Sequence, residues 1–252
     1  MSVRVECVLD VKAKVGECPL WDVEEQALYF VDIEGCALHR YDPADGRHTT
    51  HTFDERVACL ALRKGGGALI GTQSGLHTFD FATGATSPIT DPEADKPHNR
   101  VNDSAIAPEG RWWVGTMSMA QPQPADGAFY VFADGELTKV FDGIYTTNGL
   151  AFSPDGTRLY FSDSHKDVRT VWCCDYDGAT GTPSNRRVFF DTRTVAGRPD
   201  GATVDADGCY WLAGVSGWQL YRITPDGRLD MTIDLPVERP SRPMFGGPDL
   251  ST

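Results

Sequence analysis

The chain has 252 residues, 40% hydrophobic and 10% aromatic, with 23 basic against 36 acidic side chains and a net charge of -13. That is ample material for a packed core and argues against disorder. The acidic balance, with no basic run longer than Arg186-Arg187, excludes a nucleic-acid partner, and no apolar stretch approaches the ~20 residues that span a bilayer.

The opening segment mixes charged residues with apolar ones and lacks the uninterrupted apolar run of a signal peptide. Seven cysteines without C-x-x-C spacing suit a reducing cytoplasm, and all seven read as structural. A first strand is expected at Arg4–Leu9. After it, one unit recurs six times: an apolar stretch, a tight turn, a second apolar stretch. One position of that unit is chemically marked, and it falls at Glu17, Ala58, Asn102, Asn148, Asp200 and Arg242, in steps of 41, 44, 46, 52 and 42 residues. Such a period fits one four-stranded propeller blade. The fourth unit is the most complete, with strands expected at Gly149–Phe152, Arg158–Ser162, Thr170–Tyr176 and Arg187–Asp191. Ser153-Pro-Asp-Gly156 supplies the turn between the first two. Helical spacing of apolar residues is absent, and 26 glycines and 16 prolines break the chain too often for helices. Asp91–Arg100, Met119–Gly127 and Thr192–Pro199 read as rim loops. The sixth unit begins at Arg242 and ends where its next strand should start. The expectation is therefore an all-β, six-bladed β-propeller in one domain, 1–252, with the sixth blade incomplete and the chain truncated at its C-terminal end.

Equivalent positions of a rotational repeat converge on its axis, so Glu17, Asn102, Asn148 and Asp200 should meet. Glu17, Asn148 and Asp200 offer only oxygen ligands, which suits one divalent cation: Ca²⁺, Mg²⁺ or Mn²⁺ by preference, with Zn²⁺ or Fe²⁺ compatible. Two anions on an axis repel, and a cation neutralises both; without it, one carboxylate holds its proton more tightly. The competing reading is that Asn148-Gly149 and Asp200-Gly201 are ordinary Asx-Gly turns. Arg100, two residues before Asn102, either reads substrate hydroxyls or pairs with a carboxylate. His98 and His165 read as surface residues, with a place at the mouth as the alternative, and Trp21 and Tyr145 are candidates for a pocket wall. Trp112, Trp113, Trp211 and Trp218 read as blade core. No G-x-S-x-G, H-E-x-x-H or phosphate-cradling glycine motif occurs.

Gly16-Glu-Cys-Pro-Leu-Trp21, Arg100-Val-Asn-Asp103, Gly115-Thr-Met117, Thr147–Gly156, Pro199-Asp-Gly201 and Pro243–Leu250 together resemble the regucalcin/gluconolactonase (senescence marker protein-like) family, in order and along the whole chain. The resemblance implies a six-bladed propeller that binds one divalent cation on its axis and hydrolyses a sugar lactone to the open aldonic acid. It implies Glu17, Asn148 and Asp200 as metal ligands, Arg100 and Asn102 as substrate contacts, and Asp200 as general base. Two departures stand out: Cys18 occupies a position that is commonly glycine or serine, and Ser118-Met-Ala120 lacks an acidic substrate contact. The partner implied is a small sugar lactone, for a cytoplasmic monomer or weak homodimer. The alternatives are a non-enzymatic calcium-binding propeller, or a lactonase or esterase for other lactones or phosphoesters. Arg100, Asn102 and Asp103 favour a polyol.

Overall fold

In the computed structural model, which describes residues 3–252, twenty strands form five four-stranded sheets, each an antiparallel meander in sequence order. Blade one runs through β1 (Gly16–Asp22), β2 (Ala27–Asp32), β3 (Ala37–Asp42) and β4 (Arg47–Thr52). Blade two holds β5 (Val57–Leu62), β6 (Ala68–Thr72), β7 (Gly75–Phe79) and β8 (Thr86–Thr90). Blade three holds β9 (Asn99–Ile106), β10 (Trp112–Ser118), β11 (Gly127–Ala133) and β12 (Glu136–Ile144). Blade four comprises β13 (Thr147–Phe152), β14 (Arg158–Asp163), β15 (Thr170–Asp177) and β16 (Thr182–Asp191). Blade five comprises β17 (Arg198–Val204), β18 (Tyr210–Val215), β19 (Gln219–Ile223) and β20 (Leu229–Asp234). The first strand of each blade is innermost, and the fourth is largely exposed.

The middle strands are buried on both faces, so neighbouring residues serve different interfaces. On β10, Trp112 belongs to the core cluster that holds Ile70 and Phe79, while Trp113 belongs to the one that holds Phe129, Leu159 and Phe161. On β15, Cys173 and Cys174 divide between the same kinds of interface, as strand alternation demands. All seven cysteines are free thiols. Among the described residues, no helix is long and apolar enough to cross a membrane.

The expected six blades are corrected to five. Residues 235–252 contain no strand, and neither do residues 3–15, where Arg4–Leu9 was to have been an edge. Pro240 and Pro243 flank Ser241-Arg242 and lack the N–H groups a ladder needs. The segment instead bridges the innermost strands of blades five and one: the Gly201 N–H donates to the Ser241 carbonyl at 2.7 Å, and the Ser241 hydroxyl donates to the Gly16 carbonyl. Trp218 is also corrected; it sits in a turn at φ 60° and is 50% exposed rather than blade core.

Arg242 fixes the bridging segment to the axis. Its Nη1 donates to Asp103 Oδ1 at 2.6 Å and to the Ser104 carbonyl at 2.8 Å, and the two side chains are 10% and 4% exposed. Asp103 also accepts the N–H groups of Ser104 (2.8 Å) and Leu150 (3.0 Å), so its charge ties β9 to β13 as well. The aliphatic stem of Arg242 lies against Gly201, where an added Cβ would come within 2.5 Å of Arg242 Cβ.

Removing one member of such a pair strands the other charge. Arg242→Met should cost about 3–5 kcal/mol of stability, read by urea unfolding at neutral pH. Adding Asp103→Asn to that variant should recover part of the loss; no recovery would mean that the arginine acts by packing alone.

Candidate active site

All five innermost strands carry an irregularity at the marked position. In four of them two residues face one: Cys18-Pro19 oppose Phe30, Asn102-Asp103 oppose Gly115, Gly149-Leu150 oppose Phe161, and Asp200-Gly201 oppose Ala213. A bulge of this kind bends the strand and re-aims a side chain. Here each bulge includes or directly follows the marked residue, and these four marked residues line one cavity. Gly149 adopts φ 66° in its bulge, which suits glycine, and a Cβ there would lie 2.4 Å from Tyr210 Oη. Cys18 takes the same left-handed region at φ 48° and bears a cost of order 1 kcal/mol for its Cβ. Its buried sulfur accepts the Leu60 N–H at 3.4 Å.

Glu17, Arg100, Asn102, Asn148 and Asp200 line one cavity of about 700 Å³. Ala58, the marked residue of blade two, is buried and does not reach it. Three of the five side chains are interlocked. Arg100 Nη1 donates to Asn102 Oδ1 at 2.8 Å, and Asn102 Nδ2 donates to the Thr147 carbonyl at 2.8 Å and to Asn148 Oδ1 at 3.3 Å. Asn148 Nδ2 donates to Ser164 Oγ at 2.7 Å, and that hydroxyl donates onward to the Pro199 carbonyl. Ser164 must therefore accept from Asn148, which assigns the amide with its oxygen towards the cavity.

The carboxylates are perturbed by burial and by one another. Burial, then the charge of Asp103, pushes Glu17 up to about 7, while Arg242 pulls the other way. Burial, then the charge of Glu17, holds Asp200 well above the usual carboxylate range. Among the described residues no hydrogen bond reaches the Asp200 carboxylate, whereas Glu17 accepts the Cys18 N–H at 3.2 Å. Burial lowers the Arg100 guanidinium to about 10, its Nε is buried without a partner, and no carboxylate pairs with it among the described residues. The pairing alternative for Arg100 is thus not realised.

The donor set fits a hard divalent cation: two mutually destabilised carboxylates and an amide oxygen on the same cavity wall. Among the described residues no three His, Cys, Asp or Glu side chains converge as metal ligands, so any such site depends on the Asn148 amide and on solvent.

Rim loops surround the mouth. Met119–Gly127 contributes Gln123, whose Nε2 donates to the Tyr145 carbonyl at 2.7 Å, and Tyr145 stacks on His165 with ring centroids 4.1 Å apart. Tyr145 and His165 line the cavity, whereas Trp21 and His98 do not. Sequence reasoning missed Ser164 and Arg198, which carry no signal without the cavity. It grouped Asp103 with Arg100 and Asn102 as a sign of a polyol, and that is corrected: Asp103 is buried against Arg242 and does not line the cavity.

A family model described as the SMP-30/Gluconolactonase/LRE-like region matches residues 15–252. A 6-deoxy-6-sulfogluconolactonase from Pseudomonas putida is 38% identical over 254 residues, covering 100% of this chain and 86% of the relative. Regucalcin from Xenopus laevis is 35% identical over 257 residues, covering 99% of this chain and 85% of the relative. Among solved structures, a calcium-binding protein, regucalcin, from Agrobacterium tumefaciens superposes with a TM-score of 0.89 at 33% identity, covering 94% of this chain and 79% of that one.

In metal-free protein the folded state binds the Glu17 proton more tightly than the unfolded state does. Stability should therefore fall as pH rises from about 4.5 to about 7. Thermal melts across that window test the sign, and a divalent cation should raise Tm more at its alkaline end than at its acid end. A cation effect equal at both ends would place the metal elsewhere.

Proposed function

The chain belongs to the SMP-30/Gluconolactonase/LRE-like family, and we propose that its axial cavity hydrolyses a sugar lactone to the open-chain aldonic acid with the help of one divalent cation. The observation that carries this is the meeting of Glu17, Asn148 and Asp200 with Arg100 and Asn102 in a single cavity. Glu17, Asn148 and Asp200 would hold the cation. Bound there, it would polarise the lactone carbonyl and stabilise negative charge developing on its oxygen.

The remaining work falls to the chain. Asp200, whose carboxylate has no protein donor among the described residues, takes a proton from the attacking water as that water adds to the carbonyl carbon. The bond from that carbon to the ring oxygen then breaks, and the ring oxygen takes that proton from Asp200 to become a hydroxyl, which returns Asp200 to its carboxylate form. Arg100 and Asn102 orient the sugar hydroxyls. Because Asn102 already spends its amide on Arg100, Thr147 and Asn148, it also positions the Asn148 oxygen. A cavity that reads hydroxyls with buried polar groups discriminates against substrates lacking them, since its own groups are then left unpaired.

We place the protein in a reducing, cytoplasmic setting, as a monomer or weak homodimer; the free thiols support the first part. The second reading is calcium binding without turnover, favoured by the calcium-binding relative of known structure.

Proton release from gluconolactone, xylonolactone and arabinonolactone, above spontaneous opening, tests the proposal. Metal-stripped protein should be inactive and restored by Ca²⁺, Mn²⁺, Mg²⁺, Zn²⁺ or Fe²⁺. Asp200→Asn should lower kcat by roughly 10²–10⁴. Tight cation binding with no turnover of any lactone would favour the second reading.

A further inference from the structure

Arg100 and Arg198 both line the axial cavity, and among the described residues neither forms an ion pair with a carboxylate. Arg56, Arg111, Arg222 and Arg242, by contrast, are each paired with a carboxylate. We propose that Arg198 recognises an anionic substituent, a sulfonate or phosphate, on a sugar lactone at the end remote from its carbonyl. The proposal rests on the lactonase reading above and narrows its substrate class.

The charge balance carries the argument. Glu17 and Asp200 would be neutralised by a divalent cation, and at the rim Lys166 and Asp167 offset one another at 3.2 Å. Arg100 and Arg198 remain, so the loaded cavity holds two uncompensated positive charges. A neutral aldonolactone leaves them so. A tetrahedral oxyanion supplies what a planar guanidinium binds best, through parallel N–H···O bonds. Arg198 is free to do this, since its one hydrogen bond among the described residues is a long one, Nη1 to the Ser164 carbonyl at 3.4 Å.

Arg198 stands two residues before Asp200 on β17, about 6.6 Å along the strand, and both line the cavity. The bland role for Arg198 is to ease ionisation of Asp200, towards which its charge acts. That role would affect neutral and anionic lactones alike.

The test compares kcat/KM of the cation-loaded protein for gluconolactone, its 6-deoxy-6-sulfonate and its 6-phosphate. An anionic lactone should be preferred at least tenfold, with the difference in KM, and the better of the two identifies the anion. Arg198→Gln should reduce that preference at least tenfold, and Arg198→Lys should restore part of it. Calorimetric binding of 6-deoxy-6-sulfoglucose against glucose, pyranoses with no lactone bond, separates the two claims. If no lactone opens but the sulfonated sugar binds more tightly in an Arg198-dependent way, the lactonase reading falls and the anion site stands. Equal kcat/KM for neutral and anionic lactones, parallel losses in Arg198→Gln, or equal binding of the two pyranoses would each overturn the proposal.

Discussion

A guanidinium and a carboxylate share the dry centre of this molecule, and the surrounding parts are arranged about them. Asp103 arrives from blade three, Arg242 from the segment that follows blade five, and the two meet as a buried ion pair. A buried pair of this kind contributes little net stability, because desolvation offsets most of the attraction. Its value is positional. Asp103 simultaneously accepts the Leu150 N–H, so the inner strands of blades three and four cannot slide without exposing a charge. Arg242 meanwhile presses on Gly201, beside Asp200.

The same pair sets the electrostatics of the cavity next to it. Asp103 raises Glu17 and Asp200 while Arg242 lowers them, so the two effects oppose and burial decides the outcome. Both carboxylates are therefore pushed towards their protonated forms until a cation or a nearby positive charge intervenes. The central pair thus gives the site a fixed dipole without giving it a net charge.

Much of this was legible in the chain. In blade four, the expected Arg158–Ser162 strand is observed as Arg158–Asp163, because an apolar run bounded by a Pro-Asp-Gly turn leaves little choice. The marked register was legible because a carboxylate or carboxamide recurs at one position in four of the six units; Glu17, Asn102, Asn148 and Asp200 do line one cavity. The bulges were hidden, since two residues facing one is a property of the opposing strand's register and not of the inner strand's sequence. Arg242 held the right place in the repeat, but its partner lies 139 residues away and no local pattern links them. The blade count went wrong for a related reason. Counting marked positions presumes that each brings three partner strands, and the sixth brings none. Trp218 looked like core by residue type, yet its turn points it outward.

The bulges also divide the molecule into regions of unequal tolerance to drift. Side chains on a strand alternate in direction, so losing or gaining one residue within β1, β9, β13 or β17 would swing Glu17, Asn102, Asn148 or Asp200 into a blade interface and drive an apolar neighbour onto the axis. Lengthening the hairpin and rim loops demands no such change, because loop-closure entropy grows only slowly with length. Descendants of this chain can therefore explore new substrates by reshaping the mouth while the interior keeps its count. Variation in length belongs to the periphery, and variation in the inner strands is confined to identity.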